Sequence, residues 1–281
     1  MIQDQTIDEA LEAQFALRKR HPERNAVYAD FARRSEVFRA TARAKLDVRY
    51  AAGPRCCLDV FPAAPAAPVL IFIHGGYWRA LDRKEFAFLA EPYQQAGMTV
   101  VMPSYDLAPA VQIVDILAQM RAALAWVMAE LVPPRLVVGG HSAGGQLAAM
   151  LALEQAERGQ SGPITGLIGV SGAFDLVPLL RTSVNHDVNL TRADAERMSP
   201  LHRLAGLPMT APLVPLLAIV GGGETDGFKA WTRDLCSAWR DHGAPGVYSE
   251  PDRLTHFTIL EALADAHSGV AKQIIAMAGR S

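Results

Sequence analysis

The sequence contains little cysteine, and the pattern of that cysteine excludes two common types of site. Cys56 and Cys57 are adjacent, and Cys236 is the third and last cysteine of the 281-residue chain. An odd number at this spacing is typical neither of a disulfide framework nor of a zinc site. We therefore expect reduced cysteines in a cytoplasmic protein.

The chain also lacks an excess of charge of either sign. It has 27 basic and 29 acidic residues, whereas proteins that bind the phosphates of nucleic acids usually carry a basic surplus. The first residues are polar and acidic, unlike a secretory leader. A long uncharged stretch over 206–223 contains three prolines, which favours a loop over a membrane span. We expect no nucleic-acid or membrane partner, and an oligomer remains possible on this sequence.

Three common cofactor motifs are absent. The sequence has no G-x-x-x-x-G-K-[ST] phosphate loop, no G-x-G-x-x-G that opens a helix after a strand, and no H-E-x-x-H metal motif. We expect neither a metal nor an organic cofactor.

Short apolar runs alternate with helical stretches from residue 46 onward. The run 69–73 is continuously apolar, as in a strand that is buried on both faces, and residues 113–131 have the length of a helix. This alternation predicts one α/β domain over residues 1–281, with a mostly parallel sheet and helices on both faces. The predicted strands are 57–61, 69–73, 99–102, 136–138, 164–170, 216–220 and 246–249.

Two segments are expected to flank this sheet. Apolar residues recur at helical spacing over 4–45, which predicts two helices separated by Pro22 in the N-terminal region 1–45. Residues 174–209 are irregular and lie between two strands, so they predict an insertion near the site. Together the two segments form a predicted small cap, and residues 259–277 predict a single closing helix.

The strongest motif runs from Gly140 to Gly144 and fits G-x-S-x-G, with an apolar run before it and a helical stretch after it. In this context a serine stands on a sharp strand-to-helix turn, and small neighbours let adjacent chain segments approach closely. We predict that Ser142 is a nucleophile.

A second motif, residues 74–78, follows the strand 69–73. Glycines at this place can present backbone N–H groups to an oxyanion, so we predict that Gly75 and Gly76 serve as donors together with Ala143. The next two residues, Tyr77 and Trp78, line a substrate pocket or belong to the core.

The fold predicted for this motif requires an acid and then a histidine after the serine. His256 lies on the loop between the last strand and the closing helix, and it is the predicted base. Glu224 and Asp226 both follow the strand 216–220; we favour Glu224 as the acid, whereas Asp226 could cap the next helix. His186, in the insertion, contacts substrate or is a surface histidine.

Several stretches together resemble the kynurenine formamidases and their bacterial esterase relatives, on the hormone-sensitive-lipase-like side of the α/β-hydrolases. They are residues 58–61, 74–79, 104–109, 140–144, 175–179, 182–185, 199–200 and 255–257. The resemblance implies an α/β-hydrolase fold and a metal-free triad of Ser142, Glu224 and His256 that acts on small acyl groups. Relatives often carry Asp at the position of the acid, and many carry a Q-Y-N-x-R-like stretch where this chain has residues 14–18.

These features predict a serine hydrolase for small or aryl carboxylic esters. An arylformamidase that cleaves amides of the N-formylkynurenine type is the alternative. A ligand-binding protein without catalytic activity, built on a hydrolase fold, is a third possibility from a different class. In each case the expected partner is a small molecule.

Overall fold

A computed structural model describes residues 6–159 and 162–279, which form an eight-stranded sheet with helices on both faces. The order of the strands in the sheet is β1-β2-β4-β3-β5-β6-β7-β8; β2 runs antiparallel to β1 and β4, and the strands from β4 to β8 are parallel. The strands are β1 (Lys45–Arg49), β2 (Cys57–Phe61), β3 (Val69–Ile73), β4 (Thr99–Pro103), β5 (Leu136–His141), β6 (Ile164–Val170), β7 (Leu216–Ile219) and β8 (Gly246–Ser249).

The helices divide between the two faces of this sheet, and each face has its own apolar core. None of them, within the two described ranges, combines the length and apolar character that crossing a bilayer would require. The α-helices are α1 (Glu9–Phe15), α2 (Leu17–Arg20), α3 (Arg24–Thr41), α4 (Glu91–Gln95), α5 (Ile113–Leu131), α6 (Ala143–Glu157), α7 (Asn185–Val188), α8 (Arg192–Met198), α9 (Pro200–Ala205), α10 (Asp226–Asp241), α11 (Ile259–Ala264) and α12 (Gly269–Gly279), and 3-10 turns cover Arg83–Glu85, Ala87–Ala90 and Pro178–Arg181.

The seven predicted strands are all present, whereas β1 was not predicted. Polar and apolar residues alternate over Lys45–Arg49, which is a strand pattern, but this segment is short and directly follows the range 4–45, whose apolar spacing is helical. Four of its five residues are exposed, as expected of an edge strand. The predicted single closing helix is instead two helices, α11 and α12, separated by residues 265–268.

The two flanking segments contain more helix than expected. The N-terminal segment forms three helices rather than two, and residues 4 and 5 of the predicted helical range lie outside the described residues. The insertion contains α7, α8, α9 and a 3-10 turn. Helix α1 packs against that turn and against α10, so the two segments meet on one side of the sheet.

Two histidines at strand ends lie fully inside the protein. His74 follows β3 and stacks on Tyr105, with ring centroids 4.4 Å apart, and burial lowers the pKa of His74 to about 4. His141 ends β5. Burial lowers its pKa well below the usual range, and the neighbouring ring of His256 lowers that pKa further. Both imidazoles are therefore neutral in the folded protein at neutral pH.

Because these histidines are neutral in the folded protein, we predict that acid destabilises the fold at pH values above those at which most carboxylates titrate. The unfolded chain takes up protons near pH 6.5 that the folded protein cannot bind, so the free energy of unfolding decreases as the pH falls below that value. Each proton contributes about 1.36 kcal/mol per pH unit, and we expect a decrease of about 2 kcal/mol between pH 6.0 and 5.0 in urea titrations.

The same titrations can assign this effect to a residue. His141→Gln should remove about half of the decrease, and the exposed His186→Gln is the matched control. A free energy of unfolding that stays constant between pH 6.0 and 5.0 would contradict the prediction.

Candidate active site

Ser142 occupies the sharp turn between β5 and α6. Its backbone has φ 55° and ψ −119°, a strained combination for a residue with a side chain. The turn packs closely against the end of β3: a Cβ on Gly144 would lie 2.0 Å from the carbonyl oxygen of Ile73. Only glycine fits at that position, which explains the spacing of the motif.

His256 and Glu224 meet beneath the pocket that Ser142 lines. The Nδ1 of His256 donates to Oε2 of Glu224 over 2.8 Å, and both residues are buried. This bond fixes the tautomer of the imidazole, because the proton on Nδ1 leaves Nε2 free to accept another. Asp226, the other predicted acid, is the exposed first residue of α10.

The other oxygen of the Glu224 carboxylate is held by two further donors. Ser171 donates its hydroxyl to Oε1 over 2.5 Å, and the N–H of Gly221 donates to the same atom over 2.8 Å. Ser171 was not predicted as a site residue. Ser171 follows β6, and Glu224 follows β7. These two strands are parallel neighbours, so the residues after them lie close together, and this adjacency could have identified Ser171.

His141 connects the loop that carries His256 to the strand that precedes the predicted nucleophile, Ser142. Its Nε2 donates to the carbonyl oxygen of His256 over 2.8 Å, and the centroids of the two rings are 4.7 Å apart. Ser142, His141 and His256 line one pocket. No hydrogen bond joins Ser142 to His256 in the described part of the chain; such bonds are often long before substrate binds.

The predicted oxyanion donors surround the nucleophile. A Cβ on Gly75 would lie 3.1 Å from the Cβ of Ser142, Gly76 lines the pocket, and Ala143 begins α6. Within residues 6–159 and 162–279, the backbone N–H groups of Gly75, Gly76 and Ala143 donate to no protein acceptor. These donors remain available to a developing negative charge.

The loop that carries these glycines is held from its other side. The hydroxyl of Tyr105 donates to the carbonyl oxygen of His74 over 3.0 Å, and Nδ1 of His74 donates to that of Gly75 over 2.7 Å. Each bond restrains a peptide group of the loop. The loop is therefore ordered before any substrate arrives.

Of the three predicted substrate contacts, the structure places one in the pocket. Tyr77 lines it and donates its hydroxyl to the carbonyl oxygen of Phe15 over 2.6 Å. Trp78 is fully buried and donates its indole N–H to Gln146, so it belongs to the core. His186 is an exposed residue of α7 outside the lining.

The pocket has a volume of about 290 Å³, and the N-terminal helices form much of its wall. The N-terminal segment was predicted to lie near the site, but none of its residues was predicted to line the pocket. Side chains from α1, α2 and α3 meet there only in the folded chain. The described residues contain no group of three His, Cys, Asp or Glu side chains that could share a metal ion. The lining residues from the N-terminal segment are Glu12, Ala16, Leu17, Arg18, Arg24 and Tyr28, and the others include Arg79, Leu81, Ser183, Val184 and Phe257.

Comparisons with known proteins place this arrangement in a family. The sequence profile of the α/β-hydrolase fold matches residues 70–260. Kynurenine formamidase from Danio rerio is 31% identical over 252 residues, which are 88% of this chain and 86% of that protein. Kynurenine formamidase from Salmo salar is 30% identical over the same shares of both chains.

Solved structures agree with the sequence comparisons. The crystal structure of a protein from Silicibacter sp. TM1040, described as a proposed thioesterase, has a TM-score of 0.77 and 30% identity over 88% of this chain and 92% of its own. Esterase B from Lactobacillus rhamnosis has a TM-score of 0.66 and 18% identity, over 95% and 93% of the two chains, and so matches in fold alone. The predicted fold class is confirmed. The chain belongs to the α/β-hydrolase family and, within it, to the kynurenine formamidase-like proteins.

Proposed function

We propose that this protein is a serine hydrolase that cleaves small or aryl carboxylic esters through an acyl-enzyme intermediate. The observation that carries the proposal is the buried Glu224–His256 hydrogen bond beside a pocket that Ser142 also lines. A histidine whose Nδ1 is held by a carboxylate is suited to accept a hydroxyl proton at Nε2. Family membership supports the reaction class.

In the first half of the reaction, Nε2 of His256 accepts the proton of the Ser142 hydroxyl while the serine oxygen attacks the substrate carbonyl. The negative charge on the former carbonyl oxygen is stabilised by the free N–H groups of Gly75, Gly76 and Ala143. The imidazolium then gives its proton to the leaving alcohol, and the acyl group stays on the serine.

In the second half, water replaces the alcohol. His256 accepts a proton from the water as the water oxygen attacks the acyl carbon, and it returns that proton to the Ser142 oxygen as the carboxylic acid departs. Glu224 remains ionised and stabilises the imidazolium in both halves. Its bonds to Ser171 and Gly221 keep the carboxylate in place.

Cleavage of an aryl formamide is a second candidate function. Relatives named kynurenine formamidase align with 88% of this chain, and the proposed machinery treats an amide carbonyl as it treats an ester carbonyl, with an amine as the leaving group. Aromatic rings of Tyr28, Tyr77 and Phe257 in the pocket wall suit an aryl group in either substrate.

The proposal predicts that Ser142 is essential and reactive. Ser142→Ala should lower kcat by about 10⁶ and abolish covalent labelling by a fluorophosphonate probe, because the attacking oxygen is lost. Ser237→Ala, on the exposed side of α10, is the matched control. A folded wild-type protein that the probe does not label would instead support a ligand-binding protein without catalytic activity.

The two candidate acids can be separated with isosteric amides. Glu224→Gln should lower kcat by about 10⁴, since an amide neither fixes the imidazole tautomer nor stabilises the imidazolium. Asp226→Asn should change kcat little, because that side chain is exposed at the start of α10. A larger loss from Asp226→Asn than from Glu224→Gln would identify Asp226 as the acid.

One enzyme preparation can rank the two substrate types. We expect a higher kcat/KM for p-nitrophenyl acetate than for N-formylkynurenine, because the ester has the better leaving group. Spectrophotometric assays of both compounds with wild type and with Ser142→Ala measure this ratio and exclude a contaminating hydrolase. A higher kcat/KM for N-formylkynurenine would favour the formamidase.

A further inference from the structure

Three arginines lie in the wall of the pocket, and we call them the arginine wall: Arg18 from α2, Arg24 from α3 and Arg79 from the loop after β3. The three come from separate parts of the chain, and the reaction mechanism uses none of them. Arg18 is exposed, Arg24 is half-buried and the side chain of Arg79 is largely buried. Removing a guanidinium from water is costly unless an anion meets it, and this cost falls mainly on Arg79.

Arg79 is the most buried member of the arginine wall. Its side chain is 10% exposed and forms an ion pair with Asp187, which is half exposed. Its Nε is buried and has no hydrogen-bond partner among the described residues. Buried donors are normally paired, so this one indicates an acceptor that the protein itself does not supply.

The other two arginines have no carboxylate partner in the parts of the chain that the structure describes. Arg24 donates to the backbone carbonyls of Arg18 and His21, over 2.6 and 3.3 Å. The Arg18 side chain forms no hydrogen bond or ion pair there. Partial burial lowers the pKa of Arg18, and the positive charges of Arg79 and Arg24 lower it further, whereas the negative charge of Asp187 opposes this shift.

The nearby acidic group in the lining does not neutralise this charge. Glu12 accepts the backbone N–H of Ser183 over 2.8 Å and the hydroxyl of the same residue over 2.6 Å, one on each carboxylate oxygen. Its carboxylate thus fastens α1 to the insertion. Two carboxylates of the flanking segments therefore lie near the three guanidinium groups: Glu12 is engaged by Ser183, and Asp187 pairs with Arg79. Arg18 and Arg24 keep charges that no ion pair among the described residues neutralises.

We propose that the arginine wall binds a carboxylate on the leaving group of the substrate, so that this enzyme prefers anionic aryl esters or aryl amides to neutral ones. The inference rests on the hydrolase function proposed above. A guanidinium matches a carboxylate with two parallel hydrogen bonds, which fix the orientation of the substrate as well as its charge. The pocket volume of about 290 Å³ accommodates a single aromatic ring with such a group.

The test uses pairs of substrates that differ only in charge. One pair is 3-acetoxybenzoate and 3-acetoxybenzamide, and the other is 3-formamidobenzoate and 3-formamidobenzamide. In wild type we expect kcat/KM to be about tenfold higher for the carboxylate of each pair, mainly through KM, because a charge-assisted hydrogen bond is stronger than a neutral one.

Variants attribute this preference to the arginine wall. Arg18→Gln should lower the carboxylate-to-amide ratio of kcat/KM about tenfold, and Arg18→Glu should reverse the preference. Arg18 has no partner to lose among the described residues, so these changes should leave the fold intact. Arg33→Gln, on the exposed surface of α3 and paired with Asp30, should keep the wild-type ratio.

A second readout does not depend on turnover. 3-Hydroxybenzoate should protect Ser142 from the fluorophosphonate probe at lower concentration than 3-hydroxybenzamide does, and Arg18→Gln should remove the difference. Equal protection by the two compounds, or equal kcat/KM within each substrate pair, would contradict carboxylate binding by the arginine wall. Labelling of Ser142 by the probe would in that case still support the proposed hydrolase function. Absence of both labelling and hydrolysis overturns the proposed function and this inference with it.

Discussion

The tight packing of the β5–α6 turn against the end of β3 is the constraint on which the site depends. Because no side chain fits at position 144, the nucleophile turn lies directly against the loop that begins at His74. This contact places Ser142 next to Gly75 and brings the positive end of α6 to the same point. The remaining site residues follow from sheet geometry, since parallel strands deliver the segments after β6 and β7 to the same edge.

Burial then fixes the charge state of the groups at this edge. His141 is neutral because it is fully enclosed, and in that state its Nε2–H holds the carbonyl of His256. A charged imidazolium at His141 would repel the imidazolium that the proposed mechanism forms on His256. The low pKa of His141 thus keeps positive charge on one histidine only, and the carboxylate of Glu224 lies against that one.

The sequence allowed seven strands and a set of candidate site residues to be predicted, because both depend on local patterns. A buried strand is a continuous apolar run, and the turn at Ser142 requires small residues at fixed spacing. Which of the two carboxylates, Glu224 or Asp226, contacts the His256 imidazole depends on the path of the backbone, because these positions are only two residues apart. The core position of Trp78 and the pocket position of Arg18 depend on contacts between distant segments. The edge strand β1 was missed although polar and apolar residues alternate along it, because it is only five residues long and directly follows a segment with helical apolar spacing.

The residues that could be predicted from the sequence and those that could not belong to different parts of the site. The candidate catalytic groups follow strand ends, whose positions are set by backbone hydrogen bonds of the sheet. Much of the pocket wall comes instead from the N-terminal helices and the insertion, which are joined to each other by Glu12 and Ser183 and to the loop after β3 by Tyr77 and Phe15. Because the two sets rest on different elements, side chains of the wall can change which molecules fit without displacing Ser142 or His256. We therefore expect substrate preference to depend on segments whose local sequence carries no catalytic motif, so that it has to be determined from their packing.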